Sequence, residues 1–593
     1  MQSVILIGVG FLVLLLRLWY LQILQGRHYA TLSASNRLRL QSMEAPRGFI
    51  LDRHGAVIVD NRPSFDVYVT PADVPDVRTA ALALVRVLPI GAEEIADRIQ
   101  EGKAHPYRPL LLAPEVDEAT MVAVEEQKMD LPGVSLRIRP VRSYPEGSLA
   151  AHLLGYVNEV DRDQLVQEEY RDFRAGETVG RAGIERRFDA FLRGIDGGEQ
   201  IEVDASGRIV RLVERLEPQA GFSLVLTVDR RLQEVAEKAF EGKRGAVLAM
   251  DPRTGEILVW VSRPTYDLNL FAQQISSSEW ERIASSPTHP LQNRGVQAQY
   301  PPGSIFKLVV AMAALEAGGF DPEATVFCPG QFRLGNFTFD DWKEGGHGYV
   351  NLHQAIAQSC NVYFYTVALR LGMDAIAALA HEFGLGQPIG IGLTGEVSGL
   401  IPTPAWKRRV TGEPWYPGDT VTAAIGQGMV LATPLQILTM VSAIANGGTL
   451  YRPWVVRRVE SWQGDVVEAF GPEVIRRVQV RSETLEAIRR GMLTVVAEGT
   501  GKGASLKGIA VAGKTGTSQV VKKGTQGTEA LKDHGWFVAF APYEDPRIAI
   551  VVIAENAGFG SVAALPVARA VLEAALAKPE RPSPTPAAVA ARE

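Results

Sequence analysis

Cysteine is almost missing: the 593 residues include two, Cys328 and Cys360, so at most one disulfide can form. An excess of charge of either sign is missing too. With 61 basic against 67 acidic residues the net charge is −6, which leaves no nucleic-acid footprint and requires any basic chemistry to be local. No internal repeat recurs along the chain, which sets aside stacked-repeat architectures. Long apolar runs are scarce as well. One exists, "VILIGVGFLVLLLRLWYLQIL" from Val4 to Leu24, so the chain is not a multi-span membrane protein.

That run is 21 residues interrupted by one charge, Arg17, and is long enough to cross a bilayer core. Residues 1–24 read as a single transmembrane anchor. Arg17 would be costly at the midplane, so it should snorkel or face a partner helix, while Trp19 and Tyr20 suit an interface. A cleaved signal peptide lacks support because no basic segment precedes the run. Orientation stays open on the residues alone. The arginines that follow the run would place the long domain inside, yet long domains translocate largely regardless of such counts.

The remaining length, with 46% apolar residues, can bury several cores. "RGFILDRHGAVIVD", Arg47 to Asp60, reads as a hairpin with Asp52 and Gly55 at the ends of its turn. Mixed patterns then continue to about Pro218, including "GRAGIERRFDAFLRGIDGG", Gly180 to Gly198, whose apolar spacing predicts one amphipathic helix. Residues 25–220 therefore read as a non-catalytic support region, or pedestal, carrying an inserted head at about 71–142. From Gly221 the composition changes. "GAVLAMDPRTGEILVWVS" predicts an apolar hairpin, Phe306–Ala317 a helix, "HGWFVAFAP" and "RIAIVVIAEN" two strands, and Leu565–Leu576 a final helix. Strands at both ends with helices between them predict an α+β domain over 221–578 with one antiparallel sheet. The Pro- and Ala-rich residues 579–593 read as a disordered tail.

Within that domain "QYPPGSIFKLVV" breaks the chain with two prolines and a glycine, then places Ser304 and Lys307 one helical turn apart. A serine hydroxyl needs a base, and a lysine serves only if it is held neutral. "VAGKTGTSQVV" supplies a second positive group, Lys514, which near Lys307 would lower its pKa by like-charge repulsion. The glycines of that run, Gly516 among them, would let an extended peptide add beside the strand, with Lys514, Thr515 and Thr517 meeting a terminal carboxylate. In "SCN", Ser359 could pass a proton between Lys307 and a leaving amine, while Asn361 holds Lys307 and a substrate carbonyl. Taken singly, Ser359 and Asn361 are better read as local helix hydrogen bonders. The order is more specific: Ser304 is the only serine with a lysine three residues on, and "KTG" occurs once.

With these motifs, and with "APRGFILDRHG", "RSYPEG", "GRAGIERRFDAFLRG", "DWKEGGHG", "TAAIGQG" and "DHGWFVAFAPYEDPRIAI", the chain resembles class B penicillin-binding proteins of cell elongation over nearly its whole length. The resemblance implies a single-pass protein of the cytoplasmic membrane with a penicillin-binding, serine β-lactamase-like domain outside it. It implies Ser304 as the acylated nucleophile, Lys307 as its base, and Ser359 and Asn361 as the second motif. Lys514, Thr515 and Thr517 would bind the stem-peptide carboxylate, and the N–H groups of Ser304 and Thr517 would form the oxyanion hole. The reaction so implied cleaves D-Ala-D-Ala and passes the acyl group to an amine of a neighbouring stem; β-lactams would acylate the same serine. No cofactor is required for it. Nothing matches a glycosyltransferase domain, so a RodA-type SEDS glycosyltransferase is the implied partner, with an MreC-type scaffold as a second. A division transpeptidase, disfavoured by "DWKEGGHG", and a β-lactam sensor or allosteric scaffold are the alternatives. "RGFILDRHG" and "GRAGIERRFDAFLRG" serve equally well as internal packing or as a partner surface.

The two cysteines bracket "DWKEGGH" with regular spacing: twelve residues separate Cys328 from Asp341, five Asp341 from His347, and twelve His347 from Cys360. Two thiolates, an imidazole and a carboxylate are a set zinc accepts, and some relatives in this family carry a metal at this place. The site would be structural, tying the glycine-rich loop to the segment that presents Ser359 and Asn361. A disulfide and two unlinked thiols remain open, as does Asp340 in place of Asp341.

Overall fold

The protein is described by a computed structural model covering residues 2–25, 38–104, 106–107, 109–160, 163–168, 171, 173, 177–203, 209–272, 275–519 and 532–577; the expected tail at 579–593 lies outside the described residues. The apolar run forms an α-helix, Gln2–Trp19, prolonged by a π-helical turn, Tyr20–Leu24. Its 18-residue window Ile7–Leu24 has a mean hydropathy of 2.0 and no burial against the rest of the chain. Among the described residues such a helix has no apolar partner, and its surface suits an apolar environment outside them. Arg17 lies over the Tyr20 ring, 5.4 Å from its centroid, at the aromatic end of the helix.

Strand Val57–Val69 is central to the next region. It pairs with Leu110–Val116 and Val134–Ser143, and helices Val77–Leu84, Ala92–Gly102 and Glu118–Glu126 accompany them. Val67, Leu84, Ile95, Ile99 and Leu112 form a core of their own here. The expected hairpin is present as Ile50–Leu51 and Val57–Val69, with Asp52 Oδ1 accepting from the His54 and Ala56 N–H groups at 2.8 Å. Ile50–Leu51 also pairs in parallel with Leu224–Val225, and Ser223–Leu226 pairs with Val456–Glu460. One sheet thus joins the N-terminal half to a strand more than 200 residues further on.

Three of the quoted segments meet in a buried ionic knot. Glu185, fully buried, accepts from Arg47 at 3.0 Å and from Arg142 at 2.6 Å, while Asp189 accepts from Arg47 at 2.9 Å. Burial raises the Glu185 pKa, but the two guanidiniums outweigh it and hold the carboxyl below its usual range. Arg142 also donates to the Gly48 carbonyl, which ties the knot to the hairpin. The single amphipathic helix expected over Gly180–Gly198 does not form. It is replaced by the end of strand Thr178–Gly180, helices Gly183–Arg187 and Asp189–Leu192, and the start of strand Gly197–Val203. Strand pairing at both ends, with Val157–Glu159 and with Leu38–Met43 and Ile209–Leu216, overrides the helical pattern.

The second half is built on a five-stranded antiparallel sheet ordered Ile257–Arg263, Gly245–Met250, Ile548–Ala554, His534–Ala541, Ala512–Ser518. Both faces are covered. Leu232, Phe240, Val247, Phe537 and Val571 fill one side beneath helices Arg230–Ala239 and Leu565–Leu576. Leu248, Trp536 and Val551 meet Leu308 and Leu438 on the other, beneath helices Lys307–Ala317 and Pro434–Ala445. The α+β architecture is therefore the one the sequence predicts, and its edge strand Ala512–Ser518 is free to border a cleft.

Candidate active site

Ser304 stands on a 3₁₀ turn, Gly303–Ile305, immediately before helix Lys307–Ala317. Gly303 makes that placement possible. Its φ of +57° is cheap only for glycine, and an added Cβ would lie 2.5 Å from the Thr517 carbonyl oxygen. Its N–H donates to the Gly426 carbonyl at 3.0 Å, so "TAAIGQG" braces the turn from the far side. Ser304 thereby abuts the Lys514–Thr517 strand.

Lys307 and Lys514 are both fully buried. Lys307 Nζ donates to the Ser359 carbonyl at 2.7 Å, to Asn361 Oδ1 at 2.6 Å and to Ser359 Oγ at 3.3 Å. Lys514 Nζ reaches the same Ser359 Oγ at 2.9 Å and the Thr515 carbonyl at 3.0 Å. One hydroxyl therefore lies between two amines. The sequence placed Ser359 in a helical run; the structure places it between helices Leu352–Ala357 and Asn361–Leu371, at φ +57°. Strain of that kind needs support, and the Lys307 ammonium on the Ser359 carbonyl supplies it.

Burial pushes the Lys307 pKa down to about 8, against Asp341, Cys360 and Cys328, which push it up. Lys514 falls well below the ordinary lysine value, through burial first and the nearby Lys307 second. Desolvation is thus the first cause for both amines, which the sequence reading did not name, and the repulsion between them acts on the pair. Amines whose pKa values are lowered in this way give up a proton more readily than ordinary lysines and can exchange protons with hydroxyls.

The cleft above them has a volume of about 370 Å³ and is bordered by Ser304, Ser359, Asn361, Thr515, Gly516 and Thr517. All five expected polar groups of the chemistry and the three carboxylate-side residues are thus brought together. Thr500 completes one wall, its hydroxyl 2.7 Å from that of Thr515. Trp342 forms another part of the rim and donates its indole N–H to the Gln358 carbonyl at 3.0 Å. Sequence reasoning gave neither a role. Thr500 lies between glycines in "EGTGKG", the one local signal that could have marked it.

Behind Asn361 the cysteine-bracketed segment closes on itself. Asp341 Oδ2 lies 3.5 Å from both sulfurs, and His347 Nδ1 lies 3.6 Å from Cys328 Sγ and 3.4 Å from Asp341 Oδ1. The four ligand atoms all fall within 4.8 Å of one another, and the thiols are unlinked. Asp341 supplies the carboxylate; Asp340 instead turns its carbonyl to the Asn361 amide at 3.3 Å. Asp341 Oδ2 also accepts the Asn361 N–H at 2.7 Å, which couples this cluster to the second motif.

A family model described as the penicillin binding protein transpeptidase domain matches residues 245–573, and one described as the penicillin-binding protein dimerisation domain matches residues 42–226. The peptidoglycan D,D-transpeptidase MrdA of Acinetobacter baumannii is 37% identical over 571 residues, covering 94% of this chain and 84% of that protein. Its Escherichia coli K12 counterpart is 34% identical, covering 92% and 89%. Among solved structures, a complex of penicillin-binding protein PBP2 with MreC from Helicobacter pylori superposes with a TM-score of 0.79 at 30% identity, covering 91% of this chain and 99% of that one. A peptidoglycan synthase complex described as coordinating polymerization and crosslinking reaches 0.74 at 32%, covering 98% and 99%. The motif order, the two-amine site and these likenesses agree: the chain belongs to the penicillin-binding protein transpeptidases, in the group of the MrdA peptidoglycan D,D-transpeptidases.

Proposed function

We propose that this cleft carries out D,D-transpeptidation during cell elongation, with Ser304 as nucleophile. The observation that carries the reading is the Ser359 hydroxyl held at 3.3 Å and 2.9 Å from two depressed lysines. A neutral Lys307 has two N–H bonds, which the Ser359 carbonyl and Asn361 Oδ1 occupy; its lone pair is left for the Ser304 proton. As Ser304 Oγ bonds to the penultimate D-Ala carbonyl, the N–H groups of Ser304 and Thr517 take the oxyanion. The proton passes through Ser359, with Lys514 on its other side, to the departing amine, and D-Ala leaves. An amine of a second stem then attacks the ester, returns the proton to Ser304 through the same groups, and forms the cross-link. Thr515 and Thr517 hydroxyls and the Lys514 amine hold the donor carboxylate, while Gly516 lets the peptide approach the strand.

The cluster of Cys328, Asp341, His347 and Cys360 fits a structural zinc. Tetrahedral ligation by sulfur, nitrogen and oxygen has ligand-to-ligand edges of about 3.3 to 3.8 Å; the distances from Asp341 to both sulfurs and to His347, and from His347 to Cys328, are 3.4 to 3.6 Å, and all four ligand atoms lie within 4.8 Å of one another. His347 turns Nδ1 to this cluster, while its Nε2 is buried with no hydrogen-bond partner among the described residues. Bound there, zinc would supply a fixed cross-link and no step of the reaction.

The support region, residues 25–220, serves as a pedestal that lifts residues 221–578 from the membrane held by residues 1–24. The catalytic part then lies on the outer side of the cytoplasmic membrane, and the exposed anchor helix seeks a SEDS-type glycosyltransferase, with an MreC-type scaffold as second partner. The test of the reaction is a synthetic stem pentapeptide given to the full chain in detergent. Release of D-Ala and a cross-linked dimer are expected, both lost in Ser304→Ala and Lys307→Ala; cross-links formed by either variant would overturn the assignment.

A further inference from the structure

The turn that carries Ser304 is tied to the sheet through one carbonyl. The Pro301 carbonyl oxygen accepts the indole N–H of Trp536 at 3.0 Å and also accepts the Ser518 hydroxyl. Both donors are wholly buried. They stand on neighbouring strands, Ala512–Ser518 and His534–Ala541, whose pairs Gly516↔Trp536 and Ser518↔His534 fix the spacing between them. The Tyr300 ring meets the Trp536 ring edge to face at 5.9 Å and holds the indole in its orientation. Pro301 and Pro302 have no N–H to offer, so this stretch is held to the strands through a carbonyl.

The two N–H groups that would take the oxyanion stand on different elements, Ser304 on the turn and Thr517 on the strand. Their spacing is therefore set by how turn and strand meet. Backbone lies against backbone there: a Cβ on Gly303 would be 2.5 Å from the Thr517 carbonyl oxygen, and one on Gly516 would be 3.1 Å from the Pro302 carbonyl oxygen. Such contact prevents closer approach but opposes sliding and separation only weakly. The bonds to Pro301 oppose both, and one of them comes from Ser518, the residue directly after Thr517. We infer that Ser518 and Trp536 are positioning residues for acyl transfer: by holding the Pro301 carbonyl they keep the Ser304 N–H and the Thr517 N–H in register as one oxyanion site.

This inference rests on the transpeptidase reading and extends it to two residues that touch neither substrate nor nucleophile. The oxyanion exists only as the reaction proceeds, so a loosened turn lowers the rate of acylation and leaves the first binding step alone. Misalignment of such a site costs about ten- to a hundredfold in rate. The carbonyl keeps one donor when the other is removed, so a single substitution leaves no buried acceptor without a partner.

The test uses the full chain in detergent and a penicillin with an isotope-labelled lactam carbonyl. Stopped-flow mixing separates the dissociation constant of the first complex from the acylation rate constant, and infrared difference spectra read the stretch of the ester carbonyl on Ser304. Ser518→Ala and Trp536→Phe should each lower the rate constant about tenfold or more, leave the dissociation constant unchanged, and move the stretch to higher wavenumber as the N–H donors lose alignment. Val552→Ala, a truncation in the core on the opposite face of the sheet, should lower the melting temperature with neither change. Either variant of the clamp that retains its melting transition but keeps the unaltered rate constant and stretch overturns the proposal. The same spectral shift in Val552→Ala overturns it too. Failure of the unaltered protein to form an adduct on Ser304 would instead overturn the transpeptidase reading itself.

Discussion

Raising the pH from 7 to 9 titrates the group on which the chemistry turns. Lys307 has its pKa at about 8 where an ordinary lysine has 10.5, because it is wholly buried. In the proposed mechanism the active form is the neutral amine, so activity should be low below that pKa and rise as the proton leaves. About one molecule in ten carries a neutral Lys307 at pH 7, and about nine in ten at pH 9. An unshifted lysine would be neutral in only about three molecules in ten thousand at pH 7, so burial supplies roughly 300-fold in competent enzyme. Stopped-flow acylation by a chromogenic β-lactam, read as the second-order rate constant, should rise about tenfold across this window and bend near pH 8. A steady rise of about a hundredfold with no bend would show an unshifted lysine, and a flat profile would show that Lys307 is not the base. Either result refutes the argument from burial.

Other consequences follow from the ionic knot, the cysteine-bracketed cluster and the N-terminal helix. Glu185→Gln should destabilise the protein by about 3 to 5 kcal/mol in chemical denaturation, since Arg47 and Arg142 lose their shared buried charge; a loss under about 1 kcal/mol would show the knot to be dispensable. Because the Glu185 pKa is depressed in the folded state, its contribution is present at neutral pH and is lost as pH falls below the ordinary carboxyl value of 4.5. Purified protein should hold about one zinc per chain, and Cys328→Ser and His347→Ala should lower both metal content and acylation rate; a mass two units below the reduced value with no metal would establish a disulfide instead. Removal of residues 1–24 should abolish co-purification with a SEDS-type polymerase, and undiminished co-purification would exclude the anchor as the contact.

Much of this site was legible because its chemistry is written in short local patterns. Ser304 and Lys307 are one turn apart, and Lys514, Thr515 and Thr517 lie on one strand, so spacing alone placed each set. The family motifs then placed the sets against each other. The sheet strands were also readable, since their apolar runs are buried on both faces, and so was the last helix, which buries one apolar face. What failed was decided by tertiary contacts. Ser359 leaves the helix because its carbonyl is needed by Lys307, 52 residues away. Gly180–Gly198 breaks into short helices because strands claim both of its ends. Thr500 and Trp342 reach the cleft from separate loops, and no local pattern states that loops will converge. The first cause of the Lys307 shift was missed for a related reason: like charges can be counted in a sequence, but complete burial of both amines cannot.

The central claim is that Ser304 becomes covalently acylated in the cleft between the two lysines. Its most direct test is incubation of the full chain with a labelled penicillin, followed by peptide mapping in a mass spectrometer. The account predicts one adduct per chain, on Ser304, absent from Ser304→Ala protein that retains its thermal melting transition. An adduct on another residue, or one that persists in folded Ser304→Ala protein, would contradict it.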